Sequence, residues 1–117
     1  MPLIQIDLDR ELFEAKRDEI SDAIHQAQIE TLEIPADDKF QIFRPYEPGE
    51  QRVQFNHDRP NQMIVHITMV RRYSVATKLA LYQQILVNLG RLGIAPADVH
   101  IPVMENGFED WYAGRID

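Results

Sequence analysis

The sequence contains no cysteine. Disulfides, thiolate nucleophiles and cysteine-bound zinc are excluded with it. Long apolar runs are also lacking. No stretch approaches the ~20 residues that cross a bilayer, and the opening "MPLIQIDLDRELFE" brings acids early with no basic segment, so it does not read as a signal peptide. Positive charge is scarce, with Lys+Arg 12 against Asp+Glu 19 and a net charge of −7. That balance argues against nucleic acid or an acidic membrane surface as a partner, because phosphates need a basic surface. It leaves a small anionic substrate open, since a local arginine overrides a global sign. Histidine is sparse too: His25, His57, His66 and His100 form no pair at helical i, i+4 spacing, so no metal site is expected. A cytoplasmic protein is the resulting expectation.

What is present is ordinary globular material. With 117 residues, 44% hydrophobic and 26% charged, the chain suffices for one domain spanning 1–117 with a real core. Residues 2–8 alternate, with Pro2, Ile4, Ile6 and Leu8 on one face, which is strand periodicity. Asp9 is placed to cap a helix over 10–30, whose stripe is Phe13, Ile20, Ile24 and Ala27. "KFQIFRPY" reads as a second strand. The polar stretch that follows holds Pro45, Pro48 and Pro60 and reads as an excursion loop with a possible short strand at "QRVQF". "MIVHITMV" is a central strand, apolar on both faces. Ser74 caps a second helix whose expected stripe is Leu79, Tyr82, Leu86 and Leu89. A last strand is expected from about 98 to 104, followed by the turn at Asn106-Gly107.

The order is strand, helix, strand, strand, helix, strand, and the halves echo each other in "EIPADDKFQI" and "GIAPADVHIP". The expected fold is α+β: a two-layer arrangement of repeated β-α-β units, with two helices on one face of a four-stranded sheet. The other sheet face stays apolar at several positions, and an uncovered apolar face predicts oligomerisation.

"MPLIQIDL", "AIHQAQIETLEIPADDKFQI" and "SVATKLALYQQILVNLGRLGIAPADVHIPVMENGFEDW", in that order, resemble the tautomerase superfamily, and within it the branch near malonate semialdehyde decarboxylase. The resemblance implies a homotrimer, a small carboxylate substrate, no metal and no organic cofactor. It implies that the methionine is removed and that Pro2 becomes the catalytic amine. An α-amine titrates at about 7.7–8.0; burial and a nearby cation both lower that, giving a competent base at neutral pH.

Asp38 matches an acid that sits beside the proline amine, where it would favour the ammonium form or orient water; Asp37 reads as a turn residue. Arg71 and Arg72 leave the central strand, and one guanidinium facing the pocket would hold a substrate carboxylate in a bidentate pair. The branch pattern is Arg-Pro-Arg-Ser. Aligned on Ser74, Arg71 keeps the first arginine and Tyr73 stands where the second belongs, able to donate a hydrogen bond but not a charge. Trp111 matches an aromatic at the site mouth. His25, at the stripe edge, reads as a packing histidine, and His66 as a core or interface one. The expected activity is keto–enol isomerisation of a small 2-keto acid. A decarboxylase or hydratase, and a non-catalytic trimeric scaffold, are the alternatives.

Overall fold

A computed structural model describes residues 2–53, 55, 59 and 61–114. Strand β1 (Leu3–Asp9) leads into helix α1 (Arg10–Leu32), which returns through a turn to β2 (Gln41–Tyr46). The second half repeats the plan, with β3 (Met63–Val70), α2 (Val75–Gly90), β4 (Val99–His100) and β5 (Val103–Asn106). β1 pairs parallel with β2 and antiparallel with β3, while β3 pairs parallel with both β4 and β5. The result is a five-stranded mixed sheet with two β-α-β units laid head to tail.

Alternation decides which face is covered. Ile4, Ile6 and Leu8 of β1 and Met63, Val65, Ile67 and Met69 of β3 are buried, and they meet Ile20, Ile24 and Ala27 of α1 and Leu81, Ile85 and Leu89 of α2. Both helices therefore lie on one face, as expected. The opposite face carries Ile42 and Met104, which stay exposed. At its centre Asp7 holds Arg44 at 2.7 Å and His66 at 2.9 Å. β3 is thus covered on one side only; Ile64, His66, Thr68 and Val70 remain half-exposed.

Several expectations change. The fourth strand is two, because Pro102 interrupts it and has no N–H for a ladder; its carbonyl still accepts from Ile67 at 3.0 Å, so β3 keeps pairing across the break. The stripe of α2 turns toward Leu81, Ile85 and Leu89, leaving Leu79 exposed. The helix is apolar nearly all round, so packing rather than period chose the buried side. Asp9 sits at the start of α1 without capping it; its carboxylate accepts instead from Gln51 at 3.3 Å. Helix α1 bends at Lys16 (φ −141°, ψ 17°), with no proline or glycine in the helix to cause it. At "QRVQF", Gln51, Arg52, Val53 and Phe55 are not strand; Gln54 and His57 lie outside the described residues. That loop is tied down by side chains. Arg59 pairs with Asp98 at 2.6 Å, and this hydrogen bond and charge raise the guanidinium above its already high range.

Two helix ends give stability predictions. Ser74 caps α2 as expected, its hydroxyl accepting from the Thr77 N–H at 3.1 Å. Ser74→Ala should cost about 1 kcal/mol, read as a lower urea midpoint at unchanged slope. Helix α1 ends at Glu33 in the left-handed region (φ 57°), where a side chain is disfavoured. Glu33→Gly should raise stability by roughly 0.5–1 kcal/mol in the same assay, the relief of that conformation outweighing glycine's freer unfolded state.

Candidate active site

Strand register draws distant parts of the chain to one end of the sheet. Leu3 of β1 lies opposite Thr68 of β3, and the Ile4 N–H donates to the Phe40 carbonyl at 2.9 Å. Pro2 therefore stands where β3 runs out toward Arg71 and where the chain enters β2 from Asp38. Val70 is in turn opposite Asn106, so the end of β5 reaches the same edge. Pro2 is buried, on the helix-covered side with Ile4.

Asp38 closes a turn, its N–H donating to the Pro35 carbonyl at 3.0 Å, and is half-buried; Asp37 is exposed. The two arginines part company. The Arg71 N–H donates to the Asn106 carbonyl at 2.8 Å, and Arg71 lines an open cleft of ≈ 470 Å³ with Glu105, Asn106, Gly107, Glu109 and Asp110. Its guanidinium pairs with no carboxylate among the described residues. Arg72 turns away and lies 5.5 Å from the centroid of the Tyr73 ring, a cation–π contact. Tyr73 itself packs against the core edge. The Trp111 indole N–H donates to Asn106 Oδ1 at 2.6 Å, which fixes the ring beside the cleft. Pro2 and Asp38 are not among the residues lining that cleft. They are neighbours of it through register. No group of three or more His, Asp or Glu among the described residues is placed to hold a metal ion.

A family model described as tautomerase enzyme matches residues 38–114. The probable tautomerase YusQ of Bacillus subtilis (strain 168) is 34% identical over 120 residues, which span 98% of this chain and 94% of that protein. The chain belongs to the tautomerase family. It stands with the malonate semialdehyde decarboxylase branch of the superfamily: the crystal structure of the FG41 malonate semialdehyde decarboxylase, inhibited by 3-bromopropiolate, is 32% identical with a TM-score of 0.88, covering 97% of this chain and 89% of that one. A second malonate semialdehyde decarboxylase, solved as wild type, mutant and inactivated forms, is 27% identical with a TM-score of 0.86, covering 97% and 91%. The protein is an enzyme with activity of the tautomerase or decarboxylase type.

In this tautomerase a further pair escapes sequence reasoning. Lys78 Nζ lies 2.9 Å from Glu105 Oε1, with side chains only 20% and 16% exposed. The other oxygen, Glu105 Oε2, is buried without a partner among the described residues. Lys78 sits in the first turn of α2, where the helix dipole disfavours a cation. That misplacement was the available signal that a carboxylate holds it.

Proposed function

We propose that this enzyme interconverts the enol and keto forms of a small 2-keto acid, with Pro2, freed by methionine removal, as general base. The proline nitrogen takes the enol hydroxyl proton as the C2 carbonyl forms, and the ammonium returns a proton to C3. No charge or atom is left over, so the step calls for no cofactor or metal. Arg71 holds the substrate carboxylate, Trp111 flanks it, and Asp38 tunes the amine. Tyr73 offers at most a hydroxyl donor, and Arg72 supports the Tyr73 ring.

The observation that carries this reading is the Arg71 guanidinium, paired with no carboxylate among the described residues, in a cleft at the sheet end where buried Pro2 precedes β1. Burial disfavours the ammonium, which favours the free amine that a general base needs. We also infer a homotrimer assembled through the open sheet face, in keeping with the exposed Ile42 and Met104; a fused 4-OT of the same fold, 16% identical, is described as a symmetric trimer. The inferred location is the cytoplasm, and the inferred extent is a single domain over the whole chain.

The second reading, decarboxylation or hydration of a three-carbon acid, is favoured by the 32% identity to a malonate semialdehyde decarboxylase. Tyr73 in place of a second arginine counts against it. Initial rates with phenylenolpyruvate and with 3-oxopropanoate separate the two. Turnover of the enol acid, with 3-oxopropanoate slower by at least tenfold in kcat/KM, is the expected result. The reverse order would replace the tautomerase reading with the decarboxylase one.

A further inference from the structure

Helix α1 is fastened to the segment that carries Asp38 by three side chains in a row. Ser21 Oγ donates to Gln41 Oε1 at 2.6 Å, and the Gln41 amide donates back to the Ser21 carbonyl at 3.0 Å. Lys39 Nζ reaches Asp22 at 3.3 Å across an exposed surface, a weak contact. His25, one helical turn beyond Ser21, places Nε2 2.7 Å from the Ala36 carbonyl. The three contacts run in opposite directions along the two segments, from Gln41 back to Ala36.

The His25 contact differs from the others. His25 is 8% exposed, and a carbonyl only accepts, so Nε2 carries the proton. Nδ1 is buried with no partner among the described residues. A leucine here would remove that unsatisfied nitrogen, so the imidazole is costly unless its one hydrogen bond matters. Pro35, Ala36 and Asp37 are all exposed, so core packing does not fix these three residues.

We propose that His25 is a positioning residue: through Nε2–H and the Ala36 carbonyl it fixes the turn that sets Asp38 beside Pro2. The proposal rests on the reading of Pro2 and Asp38 given above. His25 touches no reacting atom and acts only through Asp38.

The test is a double-mutant cycle on the full-length enzyme, with phenylenolpyruvate as substrate. His25→Leu should lower kcat about tenfold with KM changed less than twofold, and His25→Gln, whose amide nitrogen falls near the Nε2 position, should restore it. In the Asp38→Asn background, His25→Leu should change nothing further. An equal tenfold loss in that background, or an unchanged kcat with only a lower melting temperature, would overturn the proposal. Hydrogen exchange supplies a readout free of turnover. The Asp38 N–H, bonded to the Pro35 carbonyl, should exchange faster in His25→Leu and not in His25→Gln; equal exchange in all three proteins would overturn the positioning role. If the wild type turned over no substrate, the functional reading would fail alone, and the exchange rates would still decide the tether.

Discussion

Pro2→Ala is expected to lower kcat/KM for phenylenolpyruvate by about 10²–10³, within the span assigned to a positioned general base. The loss is incomplete because alanine, once the methionine is gone, still presents a primary amine. A retained methionine is the harsher change. It turns the proline nitrogen into a tertiary amide with no basic lone pair, and turnover should disappear. Intact mass identifies the processed state of each protein. For the processed wild type, kcat/KM should climb with pH while the ammonium loses its proton and then level off, since only the free amine accepts. A rate unchanged in Pro2→Ala at correct processing would remove Pro2 from the chemistry.

Arg71→Ala carries the second large effect. Hydrogen bonds from a charged donor contribute about 1.5–3 kcal/mol each, so losing the carboxylate clamp should raise KM by roughly 10–100-fold. Arg71→Lys keeps the charge without the planar fork and should recover only part of it. Arg72→Ala is the internal comparison. Its guanidinium lies over the Tyr73 ring rather than in the cleft, so its effect should stay within about threefold. An Arg72 effect larger than that of Arg71 would reverse the assignment. Steady-state kinetics at fixed ionic strength decides the matter.

The sequence was most readable where one periodic pattern coincided with one face. β1 runs as expected because it alternates against a core that covers one side; β3 keeps its expected extent, but it too is covered on one side rather than two. The stripe of α1 was legible for the same reason: its charged residues stay off the buried side, which admits only the polar residues His25 and Gln28 among its apolar ones. In α2, "VATKLALYQQILVNLG" offers apolar residues in every direction, and only the position of the sheet selects Leu81 and Ile85 over Leu79. The capping of α1 failed as an expectation because Gln51, 42 residues away, claims the Asp9 carboxylate. At the proposed site, Pro2, Asp38, Arg71 and Trp111 stood out through ordered motifs. The Lys78–Glu105 pair, 27 residues apart, and the His25–Ala36 contact, 11 apart, depend on how the helices settle on the sheet, which no local pattern encodes.

The place of β1 has a consequence in time. Strand β1 is a central one, flanked by β2 and β3, so one of its edges stays open until β3 has left the ribosome. At about 5–20 residues per second that interval lasts several seconds or more. Pro2 is buried once the sheet closes. On the proposed reading, in which loss of the methionine frees this amine, trimming is expected to compete with folding while the chain is nascent.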